Sequence, residues 1–83
     1  REHLVAGMKT IPGAELFPSE ANFILFRVPE GRGQGIFAGL KSRGVLIKNL
    51  DGSAPALRDC LRVTVGTPEE NAAFLAALSK ELA

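Results

Sequence analysis

The chain has no tryptophan and no tyrosine, one cysteine and one histidine. Each scarcity removes a class of function. A lone thiol, Cys60, cannot form an internal disulfide, so a disulfide-framed secreted domain is excluded and a reducing, cytoplasmic setting fits. A single histidine, His3, leaves the usual zinc ligand patterns unfilled. No apolar run approaches the roughly 20 residues that span a bilayer, and no stretch reads as a signal peptide. Ten basic residues against nine acidic ones give a net charge of +1, which offers no basic surface to nucleic acid. Neither a membrane nor a nucleic acid is therefore expected as a partner. No paired carboxylates carry the spacing of acid/base work, and no nucleophile stands beside a base.

What remains is ordinary globular material. Of 83 residues, 46% are hydrophobic and 23% charged, enough for one small domain or a piece of a larger one. The opening "REHLVAGMKT" has no initiator methionine. Leu4, Val5 and Met8 follow helical spacing without a cap before them, so the chain is expected to be cut from a longer polypeptide.

Turn residues divide the rest. The first helix is expected to end near Thr10, before Pro12 and Gly13. "AELFPS" reads as a short strand, placed at an edge by Pro18. "ANFILFRV" is the strongest strand, and its unbroken run Phe23 to Phe26 suits a strand covered on both faces or central in its sheet. After "PEGRGQG" comes a helix with Ile36, Phe37 and Leu40 on its buried face and Gly44 as its stop. Gly39 inside it marks close packing. "VLIKNL" reads as a strand and "DGSAPALRD" as a loop. In "CLRVTVG" the alternation turns Leu61, Val63 and Val65 one way and Cys60, Arg62 and Thr64 the other. Thr67, Pro68 and Glu70 make a capping box for the last helix, whose stripe is Phe74, Leu75, Leu78 and Leu82.

The order helix, strand, strand, helix, strand, strand, helix predicts a two-layer α/β (α+β) domain. Its sheet has about four strands and is mixed, with helices mainly on one face. The helix from Ile36 to Arg43 is expected to join two parallel strands by a right-handed crossover.

Two residues stand out as candidate anion ligands. Arg62 lies inside an apolar strand, and inward-facing arginines usually have an anionic partner. It either reaches solvent or pairs with Glu15, Asp51 or Asp59, or it offers its planar fork to a bound carboxylate. Lys48 by itself reads as solvent-exposed. If its strand neighbours that of Arg62, the two can share one anion. "EGRGQG" resembles a phosphate loop only in its glycines; it lacks the Walker ending and reads as a flexible connection. Cys60 reads as a small buried residue, His3 as exposed, and Asn22 as a turn cap rather than a ligand contact.

Four stretches, "PSEANFILFRV", "GLKSRGVLIKNL", "CLRVTVGTPEEN" and "FLAALSKEL", together resemble the C-terminal part of histidinol-phosphate aminotransferases. These are fold-type I enzymes that use pyridoxal 5′-phosphate. The resemblance covers Leu4 to Leu82, and "LRVTVGTPEEN" is its most specific piece. It implies the small domain, residues 1–83, of an enzyme of histidine biosynthesis. That enzyme exchanges an amino group between L-histidinol phosphate and 2-oxoglutarate on one side and imidazole-acetol phosphate and glutamate on the other. In the family the large domain supplies the Schiff-base lysine, the aspartate on the pyridine nitrogen and the cofactor phosphate site. Lys9, Lys41, Lys48 and Lys80 lack the surroundings of such a lysine. No catalytic, cofactor-binding or metal-binding residue is therefore expected in this chain, and the 83 residues alone are expected to be inactive. The resemblance assigns Arg62 to the substrate carboxylate or, by position, to the anionic end of the phosphate substrate. Lys48 stands where arginine is common and where the substrate phosphate is bound. Partners implied are the chain's own large domain and a second subunit in a homodimer. Two other readings stay open: the small domain of a related enzyme such as a threonine-phosphate decarboxylase, and a free-standing amino-acid-binding regulatory module.

Overall fold

The computed structural model describes residues 1–18 and 22–83. Its elements are helix α1 (Glu2–Lys9), strand β1 (Glu15–Leu16), strand β2 (Phe23–Arg27), helix α2 (Gly33–Ser42), strand β3 (Lys48–Asn49), a 3-10 turn (Pro55–Leu57), strand β4 (Cys60–Thr64) and helix α3 (Pro68–Leu82). The strands lie in the order β1-β2-β4-β3, with β1 at an edge as Pro18 implied and β2 inside the sheet.

Every hydrogen-bonded strand pair is antiparallel, which corrects the mixed sheet expected from the sequence. β2 and β3 do run in the same direction, as predicted for strands joined by α2. They do not touch, because β4 returns between them and pairs antiparallel with both. Two strands are also shorter than their sequence patterns. Of "VLIKNL" only Lys48 and Asn49 join the ladder. Val45 and Ile47 instead pack on the core ahead of it, and Leu46 points outward, 79% exposed.

All three helices bury against one face of the sheet. Leu4 and Met8 of α1, Ile36 and Leu40 of α2, and Phe74, Ala77 and Leu78 of α3 meet Ile24, Phe26, Leu61 and Val63 of the two central strands. Phe26 and Phe74 meet edge to face, ring centroids 5.9 Å apart, a favoured aromatic geometry. Phe37, Leu75 and Leu82, read as buried, are half-buried at the margin of this core. Among the described residues no helix covers the other face of the sheet, and Phe23 and Leu25 are only half-buried there. The apolar run of β2 thus reflects its central place rather than cover on both sides.

The helix ends follow their local chemistry. Gly44 has φ +84°, and its N–H donates to the Lys41 carbonyl while that of Val45 donates to the Leu40 carbonyl. This double closure needs a left-handed residue, which glycine supplies without a Cβ clash. Gly39 packs beneath the Glu81 carboxylate, which is also bonded to Arg43 at 2.7 Å, so a side chain at 39 would push that carboxylate aside and disturb its bond to Arg43. At the start of α3, Thr67 Oγ1 accepts from the Glu70 amide at 3.1 Å. The Thr67 amide donates to the Glu70 carboxylate at 2.9 Å. Replacing Thr67 with Ala is expected to destabilise the chain by about 1 kcal/mol. Urea denaturation of the two variants checks this, and an unchanged midpoint would show that the box carries no stability.

Candidate functional site

The strand register brings the two sequence candidates together. Lys48 stands directly opposite Arg62 across β3 and β4, and Leu25 stands opposite Arg62 across β2 and β4. Side chains in register share a face, so Lys48, Arg62 and Leu25 form one row on the uncovered side. Phe23 and Thr64 form the next row.

Arg62 is held there without an acid. Its guanidinium carbon lies 4.3 Å from the centroid of the Phe23 ring. Its Nε is buried and has no hydrogen-bond partner. Each carboxylate offered by the sequence is engaged elsewhere or distant. Glu15 faces Arg27 at the far edge of the sheet. Asp51 accepts from the Asp59 amide at 2.8 Å and from the Gln34 side chain at 3.1 Å. Asp59 accepts from the amides of Gly31 at 3.0 Å and Gly33 at 2.9 Å. Among the described residues Arg62 makes no ion pair, and neither does the exposed Lys48. Two cations therefore sit side by side, with the face above them open to an external anion.

Asp59 explains the glycine-rich loop. Its carboxylate, 4% exposed as a residue, fills the space between the Gly31 and Gly33 amides at the start of α2. The anion at this helix N-terminus is thus the chain's own, and no room is left there for a phosphate. A Cβ on Gly33 would stand 2.9 Å from the Asp59 backbone, so only glycine permits the approach. The two amide hydrogen bonds hold the Asp59 carboxyl below its ordinary value of 3.8, against the opposing effect of burial. Asp59 adopts φ 60°, a left-handed conformation that aspartate tolerates better than most residues.

Arg27 also escaped the sequence reading. It lies on the same face and stacks on Phe17, 5.2 Å from the ring centroid. Its fork is consumed internally: Nε donates to the Arg58 carbonyl at 3.0 Å and Nη2 to the Ala56 carbonyl at 2.6 Å. It pins the 3-10 turn and offers nothing to a ligand. The alternation of "FILFR" could have placed it on this face, but not its bonds to residues some 30 positions away. Cys60 is buried as predicted, its thiol 3.6 Å from the Arg58 carbonyl, and His3 is exposed. Asn22 is exposed, and its backbone carbonyl extends the ladder by accepting from Val65. A cleft of about 400 Å³ lies between Val45–Ile47 and the start of α3. Neither Arg62 nor Lys48 lines it, so the cation pair occupies an open face that needs a second wall to enclose a ligand. The described residues contain no cluster of metal-ligating side chains and no helix long and apolar enough to cross a membrane.

A histidinol-phosphate aminotransferase of Nitrosococcus oceani is 55% identical over 78 residues, 94% of this chain. One from Methylibium petroleiphilum is 51% identical over the same length. By sequence, the chain is homologous to a segment of histidinol-phosphate aminotransferases. It spans 22% and 20% of the length of these two relatives. No protein-family model matches it. Among solved structures, the histidinol-phosphate aminotransferase of Clostridium acetobutylicum superposes with a TM-score of 0.85 at 23% identity, covering 96% of this chain and 24% of that one. The L-threonine-O-3-phosphate decarboxylase of Porphyromonas gingivalis gives 0.79 at 26%, covering 95% and 25%. The fold is that of the small domain of aminotransferases.

Proposed function

We propose that residues 1–83 are the C-terminal small domain of a histidinol-phosphate aminotransferase, and that Arg62 and Lys48 hold the anionic groups of its substrates. The observation that carries this reading is the pair itself: Arg62 and Lys48 opposed in register on the uncovered sheet face, with no carboxylate of the described residues paired to either. The absent large domain supplies the second wall. The reaction is the exchange of an amino group between histidinol phosphate with 2-oxoglutarate and imidazole-acetol phosphate with glutamate.

The buried Nε leaves the two terminal nitrogens of Arg62 to face a ligand. Two parallel N–H donors match a planar carboxylate, and that match fixes the orientation of the substrate as well as its charge. Lys48 is a flexible point charge without a fork, suited to an oxygen of a phosphate group, where geometry is less demanding. Pyridoxal phosphate, when bound, supplies the electron sink for moving the amino group. The described residues do not make a site for it: the Gly31 and Gly33 amides are taken by Asp59, and Lys48 stands beside a second cation with no acid to orient it. The cofactor belongs to the large domain, and no chemical step is assigned to this chain.

The high identity to histidinol-phosphate aminotransferases favours this substrate over threonine phosphate, although a threonine-phosphate decarboxylase shares the fold. Assaying the full-length protein separates them. Amino transfer from histidinol phosphate to 2-oxoglutarate is expected, with no carbon dioxide released from threonine phosphate. The reverse result would assign the chain to the decarboxylase.

A further inference from the structure

A substrate ligand must be held in one orientation, yet no hydrogen bond among the described residues holds Arg62. A free arginine side chain carries about 2 kcal/mol of rotamer entropy, and an arginine that samples many rotamers makes a poor fork. The restraint visible in the structure is the Phe23 ring. Phe23 opens β2 opposite Thr64, two positions along from the Leu25–Arg62 pair. Such diagonal neighbours lie within reach of an aromatic side chain. The ring is half-buried and stacks against the guanidinium at 4.3 Å, while the adjacent Nε is shut away from solvent.

The chain contains its own control. Arg27 shares this face and also stacks on a phenylalanine, Phe17, at 5.2 Å. There the fork is spent on two backbone carbonyls, so hydrogen bonds fix it. At Arg62 no acceptor among the described residues is engaged, and the ring of Phe23 lies flat-on to the group that must be held, 4.3 Å away. We infer that Phe23 is a positioning residue for Arg62: its ring is the platform that presents the terminal nitrogens to the carboxylate of the amino donor. This inference rests on the reading of Arg62 as a substrate ligand.

The test uses the full-length protein with pyridoxal phosphate and glutamate as amino donor. Phe23→Leu keeps apolar bulk and removes the π face. A stack of this kind corresponds to about 3- to 30-fold in kcat/KM, and a loss of that size is expected. Phe23→Tyr keeps the ring and is expected to stay within a factor of two of the parent. The decisive measurement is the double variant. If Phe23 acts through Arg62, adding Phe23→Leu to Arg62→Lys costs no more than a further factor of two. Should Phe23→Leu disturb assembly, judged by cofactor absorbance, Phe23→Met is read in its place with the same expectations. Full activity of Arg62→Lys overturns the site reading and this inference with it. A reduced Arg62→Lys combined with an undiminished extra loss from Phe23→Leu overturns the inference alone, as does a Phe23→Leu variant within twofold of the parent.

Discussion

Arg62→Lys in the full-length protein is expected to lower kcat/KM for glutamate by about 10- to 150-fold, the loss of one charge-assisted hydrogen bond. Lysine keeps the positive charge, so long-range attraction for an anion persists. It offers no second parallel donor, and it does not stack on Phe23 as a flat guanidinium does. The substrate is then held by charge without being oriented. Cofactor absorbance before substrate is added should not change, because the proposed cofactor site lies outside this chain. Steady-state kinetics and an absorbance spectrum decide the matter together. A kcat/KM within twofold of the parent returns Arg62 to a structural role. Loss of the cofactor spectrum would instead mean that Arg62 supports the fold or the cofactor site.

A larger fall in stability than Thr67→Ala is expected from Asp59→Asn, although the side chains are almost the same shape. Asparagine tolerates the left-handed backbone at 59, so strain does not account for the loss. The amide group presents one oxygen and one NH2 where the carboxylate presents two oxygens. One of the Gly31 and Gly33 amides then faces a donor instead of an acceptor. The same site predicts an acid limb. The folded-state value of Asp59 lies below 3.8, so near that pH the unfolded chain binds more protons than the folded one. The stability contributed is complete above about pH 5, begins to fall as pH approaches the unfolded value of 3.8, and is lost as pH falls through the folded-state value. Urea denaturation at pH 7 and pH 3 measures both effects, and the midpoint should fall less between the two pH values in Asp59→Asn than in the parent. Equal falls would show that the acid limb arises from other groups.

The parts of this molecule legible in the sequence are those fixed within a few residues. The capping box of Thr67 and Glu70, the glycine stop at Gly44 and the two faces of "CLRVT" all depend on neighbours three to five positions away or on simple alternation. That alternation also put Arg62 on the face opposite the core. By contrast, none of the three carboxylates offered as internal partners for Arg62, Glu15, Asp51 and Asp59, forms an ion pair with it, and the reason is spatial. Asp59 reaches Gly33 across 26 positions, and the Asp59 amide donates back to the Asp51 carboxylate across eight. No periodicity encodes such contacts.

Sequence alone determined a small α/β domain whose helices cover one side of a four-stranded sheet, with an arginine left on the other side and a resemblance to a segment of histidinol-phosphate aminotransferases. The tertiary structure decided that β4 enters between β2 and β3, which makes all pairings antiparallel and brings Lys48 and Arg62 into one row. It decided that the glycine loop holds the chain's own Asp59, and that the Phe23 ring rather than an acid lies against Arg62. The physical reason is the same in each case. Local propensity and capping act through the nearest turns of the chain, whereas strand order and register are set by which apolar faces can be buried together, and that is a property of the whole fold.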